Sequence, residues 1–539
     1  MKKLTNLVLI GLFTLFICSC NLDYFEQAEF GDIVFDPSVA IPVGEITYSI
    51  EELFEELNDA GSNVSSTSEN VVSLIYEEEL QSQSASSFLA ILDQNFSTSL
   101  SGGRTVTAVG TPVTFSVSES FDFDLTQRGS ESYDSIYFSG GDLSVVLSSD
   151  FDATVDYIIT INSLEDNAVP LSLSGTLTPS SNRAEVSRSL DNLVGRFNRD
   201  KDGNAASNKF VFTLAYDLTV ASGATVNATD AISFDFFTSN TSFDSVFGDV
   251  STQDLTVSFD VVNLDFLNSF GNGSIAFADP RITLVFENSF GFPLGVSFPE
   301  FAVVTDNGTI IELEGSVVDN QSLIAAPRVE ERGQILMTEL ELNKSNSNIA
   351  TLLSSQPSRI VVDVNTETNP PITPFQYNFV DQSSILDISV DIEIPLDLTL
   401  DDIEVSETVD FGNGTDLEDA RRLLFRVVSE NELPLGGDVQ LEFMDDADNI
   451  LHIVNEQDAF LPAPVGSNGR TTEVVTNAAS IILEDANIRA IENATKINVI
   501  ATLRTTNAQA NQAVKFFDDY ELKFKLAVQA DVAINSNGN

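Results

Sequence analysis

Asp387-Ile388-Ser389-Val390-Asp391-Ile392-Glu393-Ile394-Pro395-Leu396-Asp397-Leu398-Thr399-Leu400 is the stretch that decides the fold. From Ile388 to Leu400 every second residue is aliphatic, and the residues between are Ser, Asp, Glu, Thr and one Pro. Successive side chains of a strand point to opposite faces, so this period of two gathers the aliphatic groups on one face of a half-buried strand. Pro395 has no N–H to give to a ladder, which predicts an edge or a bulge at that point.

Working outward, the same alternation runs through Phe210, Phe212, Leu214, Tyr216, Leu218 and Val220. Further strand-like runs are Val155 to Ile161, Leu255 to Val261, Ile360 to Val364, Val439 to Phe443, Ile497 to Leu503 and Tyr520 to Ala530. Gly271-Asn272-Gly273, Asp306-Asn307-Gly308 and Gly412-Asn413-Gly414 divide them with turn chemistry. Short strands separated by such turns predict a mainly β chain of several antiparallel β-sandwich domains. Few short helices are expected. Ser49 and Glu52 form a capping box ahead of Ile50, Leu53, Phe54 and Leu57, giving a helix near 49–60 ended by Gly61. A second helix is predicted over Asn348 to Ser355, stopped by Pro357.

With 539 residues and 42 % hydrophobic residues the chain has material for two to four domains, each with a core. Polar breaks at 196–208 and 343–348 suggest an N-terminal domain at 20–200, a middle domain at 205–343 and a C-terminal domain at 344–539. No internal repeat shows at a fixed period. Lys and Arg total 25 against 82 Asp and Glu, so the formal net charge is −57. Clustered cations are what phosphate binding requires, and this balance excludes a nucleic-acid partner.

The N-terminus reads as an export signal. Lys2 and Lys3 precede an apolar run from Leu7 to Ile17, too short to span a bilayer. It ends in Ile17-Cys18-Ser19-Cys20, which resembles the bacterial lipobox. That resemblance implies a signal peptide over 1–19, cleavage before Cys20, and a membrane anchor of acyl chains on Cys20. Each buried CH₂ adds roughly 0.8 kcal/mol of membrane affinity, so several chains hold nearly irreversibly. Loss of Cys18 and acylation of Cys20 would leave no thiol for a disulfide, so stability must come from burial. Asn21 after the lipidated Cys resembles the Gram-negative signal for outer-membrane transfer, with Asp23, Glu26 and Glu29 fitting surface export as well as the periplasmic face. The segments Ile41 to Glu45 and Asp387 to Leu398 are similar to uncharacterised lipoproteins of Gram-negative bacteria.

Catalytic chemistry is hard to place. His452 is the single histidine and sits in a strand-like run, Ile450 to Val454, so a two-His metal motif is impossible. There is no nucleophile elbow, Ser-x-x-Lys or phosphate loop. A paired-carboxylate carbohydrate hydrolase needs only two acids, which 82 acidic residues leave open. Asp200, Asp202 and Asn204 put oxygens at alternate positions of a Gly-containing turn, which makes calcium the candidate cofactor. Lys209 replaces the bidentate Glu of an EF-hand, and solvated turn residues explain the same pattern. Asp445, Asp446, Asp448 and Asn449 form a second such turn. In the middle region, Ile282 to Phe286, then Asn288, Gly291 and Pro293, then Val296 and Phe298, resemble the strand–Asn–turn–Pro pattern of the water-stress late-embryogenesis-abundant β-sandwich.

The expected function is therefore that of a non-enzymatic outer-membrane lipoprotein, a structural, scaffolding or protein-interaction module with a protein partner still to be identified. A surface glycan-binding lipoprotein is the alternative. With no Trp, 9 Tyr and 39 Phe placed mostly on the apolar phase of strands, it needs exposed tyrosines gathered on one surface.

Overall fold

The computed structural model describes residues 38–50, 63–258, 262–264, 273–371, 373–374, 376–410 and 420–532. The chain is mainly β and antiparallel, with short helices at Ala85–Phe88, Ser316–Asp319, Ile349–Ser354 and Asp485–Ile491. The helix expected near 49–60 lies outside the described residues, apart from its first positions. The helix expected at 348–355 is present, and buries Ile349, Leu352 and Leu353.

One eight-strand arrangement recurs three times. Numbered in chain order within a unit, strands pair as 1-8-3-6 in one sheet and 2-7-4-5 in the other. In unit one these are Asn95–Ser101, Val113–Asp124, Ser132–Ser149, Thr154–Asp166, Val169–Leu177, Arg183–Ser189, Lys209–Val220 and Ala231–Asp249. Unit two uses Val72–Ser84, Asp254–Ser258, Arg281–Asn288, Leu294–Thr305, Ile310–Glu312, Leu336–Leu342, Pro357–Thr368 and Ile385–Pro395. Unit three uses Ser38–Ser49, Ile403–Asp410, Ala420–Asn431, Leu435–Met444, Ile450–Phe460, Val475–Glu484, Lys496–Thr505 and Glu521–Val532.

The units are nested. Unit one lies between the first and second strands of unit two, and unit two between the first and second strands of unit three. The expected domains at 20–200, 205–343 and 344–539 are accordingly corrected. The polar break at 196–208 falls inside unit one, just before Lys209–Val220, which pairs with Val113–Asp124 and Thr154–Asp166. The break at 343–348 is likewise internal to unit two, between its sixth and seventh strands. Polar loops mark strand ends wherever they occur, and do not distinguish a loop within a sandwich from one between sandwiches.

Burial follows the alternation. Ile388, Val390, Ile392, Ile394, Leu396, Leu398 and Leu400 are all buried, while Ser389, Asp391 and Glu393 are half-exposed. Within unit one the two sheets meet through packed rings: Phe212 and Phe234 stack with centroids 4.2 Å apart, and Phe210 and Phe236 meet tilted at 4.4 Å. In unit three Leu441, Phe443 and Val499 face Ile481 and Leu483, with Ile488 and Ile491 of the short helix closing the core. Pro395 is not at a sheet edge as expected, because its strand is central, between Val72–Ser84 and Arg281–Asn288. It ends that strand, and the chain continues as Asp397–Asp401 in a separate three-stranded ribbon.

Such ribbons join neighbouring units. Ser245 to Gly248 of unit one pair with Asp381 to Asn378 of unit two. Asp397 and Leu398 of unit two pair with Lys515 and Val514 of unit three, while Ser274–Phe277 flank them. Among the described residues no strand pair connects unit one with unit three. The units therefore form a series, with unit two in the middle.

The turn between the third and fourth strands repeats in chemical detail. Asn288 Oδ1 accepts from Phe290 N at 2.9 Å, and its Nδ2 donates to Phe292 O and Ala325 O. Asn431 Oδ1 accepts from Leu433 N at 2.9 Å, and its Nδ2 donates to Leu435 O and Leu461 O. In unit one Ser149 takes the place, its Oγ accepting from Phe151 N at 3.2 Å. Both asparagines are fully buried. Removing the amide strands buried carbonyls, each costing about 1–3 kcal/mol. Asn288→Ala and Asn431→Ala should each lower unfolding free energy by about 2 kcal/mol or more, and Ser149→Ala by less, in urea titrations. Wild-type stability in both Asn variants would refute a structural role for the turn.

Candidate functional site

Cys20 lies outside the described residues. The described chain begins with Ser38–Ser49, antiparallel to Glu521–Val532, with Ser38 opposite Asp531. Ser38, the first described residue, thus lies at the end of unit three where Glu521–Val532 finishes.

The two acidic turns are closed by their own hydrogen bonds. Asp200 Oδ1 accepts from Asp202 N at 2.9 Å and Asn204 N at 2.8 Å, and Asn204 Nδ2 reaches Oδ2 at 3.0 Å. Asp445 repeats this with Ala447 N, Asn449 N and Asn449 Nδ2 at 2.9, 2.9 and 3.0 Å. Gly203 and Asp448, at φ +82° and +63°, occupy the equivalent left-handed position. Asp202 faces Lys201 at 3.7 Å and Lys496 bonds Asp448 at 2.6 Å. Asp200, Asp202 and Asn204 thus share one turn, but the Asp200 carboxylate clasps the loop. Among the described residues no group of three or more His, Cys, Asp or Glu side chains is placed to hold a metal ion. His452 stands on the strand Ile450–Phe460 opposite Phe443, with ring centroids 6.5 Å apart.

Hydrogen bonds from Asn204 and Asn449 hold the Asp200 and Asp445 carboxyls below the usual range. In ¹³C NMR titrations both should protonate at lower pH than a free Asp, and 1 mM-scale calcium should leave their turn amides unmoved. A calcium-dependent shift confined to residues 200–204 would overturn the clasp assignment.

Exposed aromatic rings do gather on one surface, at the ribbon between units one and two. Tyr137 and Tyr377 are 37 % and 40 % exposed. Phe247 lies between them, its centroid 5.8 Å from Tyr137 and 6.5 Å from Tyr377. The Arg332 guanidinium sits 5.3 Å over Phe247, and that of Arg196 sits 5.7 Å over Tyr137. Arg332 forks onto Asp381, Nε donating to both oxygens at 2.8 Å, and also bonds Ser245 Oγ. Arg196 Nε donates to Glu165 at 3.3 Å. Burial and the Asp134 carboxylate push the Tyr377 hydroxyl up, so it stays protonated. A related cluster stands beside the ribbon between units two and three. There Arg470 lies 4.5 Å over Phe517 and 5.6 Å over Tyr520, and pairs with Asp519.

None of these residues was singled out from the sequence. Tyr137, Phe247, Arg332 and Tyr377 meet only through long-range pairing, although the scarcity of cations makes each Arg informative.

The outer face of unit two is acidic. Asp391 stands opposite Glu77, and burial together with Glu77 and Glu339 raises its carboxyl above the ordinary value. A raised carboxyl destabilises the folded state when ionised; the penalty shrinks as pH falls below the folded-state pKa and is gone below the unfolded-state one. Asp391→Asn should therefore raise the melting temperature at pH 7, with the gain shrinking towards pH 3. A gain independent of pH would contradict this origin.

No family model and no curated protein matches the chain. Among solved structures it is similar to one described as "a putative secreted protein from Parabacteroides distasonis ATCC 8503", at 12 % identity over 54 % of this chain and 84 % of that one, with a TM-score of 0.27. The Gx strain of infectious bursal disease virus gives 9 % identity, 88 % and 83 % coverage and a TM-score of 0.13. The Gt strain gives 9 %, 85 % and 82 %, and 0.11. At these scores the likenesses carry no functional argument.

Proposed function

We propose that this chain is an exported lipoprotein, anchored through acyl chains on Cys20 to the outer membrane, whose body works without catalysis as a structural stalk and protein-interaction scaffold. The observation that carries this reading is the nested series of units. Its three first strands, Ser38–Ser49, Val72–Ser84 and Asn95–Ser101, succeed one another from the anchored end into unit three, unit two and unit one. A 12-residue strand is about 40 Å long, so three units in series reach roughly 100 Å from the membrane. A two-stranded ribbon in the far unit pairs Val106–Thr107 with Thr225–Val226, and Val106–Thr107 stands where the other two units carry a whole inserted domain. No described helix is long and apolar enough to cross a membrane, so the lipid is the anchor in this reading. The buried Asn turn, present at Asn288 and again at Asn431, supports likeness of the unit to the water-stress late-embryogenesis-abundant sandwich.

A glycan-binding reading rests on Tyr137 and Tyr377, half-exposed on one surface. It ranks second because both rings are engaged with Phe247 and the arginines of the joint.

Metabolic labelling with an alkynyl fatty acid tests the anchor: wild type should take label, and Cys20→Ser should lose it and leave the membrane fraction. Label retained by Cys20→Ser would sink the anchor assignment. Small-angle scattering tests the stalk. A compact globule of this length has a radius of gyration near 24 Å, and a series of three units should exceed about 30 Å. A value at the compact figure would sink it.

A further inference from the structure

The strand ladders at the two joints are short. Four residue pairs join units one and two, from Ser245–Asp381 to Gly248–Asn378, and two join units two and three, at Asp397–Lys515 and Leu398–Val514. A few further hydrogen bonds run beside these ladders, Gln382 N to Asp244 O and Val250 N to Asn378 Oδ1 at the first joint, and Val72 N to Phe516 O at the second. Backbone contacts this few fix a line of contact, and side chains add the hold on the angle.

At each joint an arginine from the segment between the fifth and sixth strands of the later unit does this. Arg332 is held by Asp381, in the segment between the seventh and eighth strands of its own unit, and lies across Phe247 and Ser245 of unit one. Arg470 is held by Asp519, in the matching segment of unit three, and lies over Phe517. Phe517 forms a bridge with Val71 of unit two, while Asp518 N donates to Asn70 O at 3.1 Å. The first arginine stacks directly on the neighbouring unit, and the second on the ring that touches it. Lys515 Nζ reaches Glu69 of unit two at 3.1 Å, adding an ion pair across the second joint.

We propose that Arg332 and Arg470 are equivalent pins that hold the three units in line, and that removing a pin frees its own joint to bend while each sandwich stays folded. Arginine suits the task. Its planar fork fixes direction on a carboxylate, and its face stacks on a ring, which a lysine ammonium does only as a point charge. The inference concerns the mechanics of the body and holds whether or not Cys20 is acylated.

Negative-stain electron microscopy of the full-length chain in detergent micelles tests it by measuring the bend angle at each joint. Wild type should give a narrow distribution at both. Arg332→Ala should widen the spread roughly twofold or more between units one and two only, and Arg470→Ala between units two and three only. Arg332→Lys should fall between wild type and Arg332→Ala. Phe247→Leu, which keeps an apolar side chain but removes the ring, should widen the first joint and so tests the pin if Arg332→Ala fails to fold. Arg504→Ala breaks the Arg504–Asp438 pair inside unit three and should change neither joint. Unchanged distributions in both Arg332→Ala and Arg470→Ala would overturn the proposal, as would equal widening of both joints by Arg504→Ala.

Discussion

The pairing of each unit's first strand with its eighth is the constraint on which the rest of the structure depends. Ser38 lies opposite Asp531, Ser84 opposite Ile385 and Ser101 opposite Ala231. Each first strand is separated from its eighth by the rest of its unit, and in units two and three by a whole inserted unit as well. Closing such a loop costs entropy that grows only slowly with length, so a folded insert is tolerated. The insert also supplies order of its own: the chain enters unit one after Val72–Ser84 and leaves it into Asp254–Ser258, strands of the two different sheets of unit two. Unit two can then close around unit one, and unit three around unit two, in an order set by topology. Contacts this distant in sequence are the slow kind to form.

That topology explains which features were legible beforehand. Alternation at Ile388 to Leu400 depends only on local geometry and a buried face, so the strand and its facing could be read directly. The same holds for Lys209–Val220 and Glu521–Val532. Nesting leaves no such mark. Equivalent strands of the three units are separated by unequal inserts, so no fixed period survives in the sequence. The turn residues have also drifted: Asn288 and Asn431 still share a hydrogen-bond pattern, while Ser149 keeps only its acceptor role. Of the candidate sites, the acidic turns were legible as turns because Asp200 and Asn204 are four residues apart. The joint clusters were not, because Tyr137, Phe247, Arg332 and Tyr377 come from four separate elements.

Charge gives the joints their importance. Eighty-two acidic residues against 25 basic ones make the units repel one another, and exposed charges interact over about 8 Å at physiological ionic strength. Repulsion of this kind keeps a series of units extended, but it acts evenly and selects no particular angle at a joint. It also penalises every extra carboxylate drawn into contact: burial raises the carboxyl of Asp391, and Glu77 and Glu339 raise it further.

Cations are therefore most effective where two acidic bodies must touch, and the joints have them. Arg332, Arg470 and Lys515 each pair with a carboxylate at a junction, and Arg281 and Lys344 share Asp279 near the second. Exposed ion pairs contribute little to folding stability, so their value here is geometric. A stack of guanidinium, carboxylate and ring defines a direction in space, which a two- or four-residue ladder does not. The long-range repulsion acts between the units as whole bodies, and the short-range clamps act on the angle at each joint.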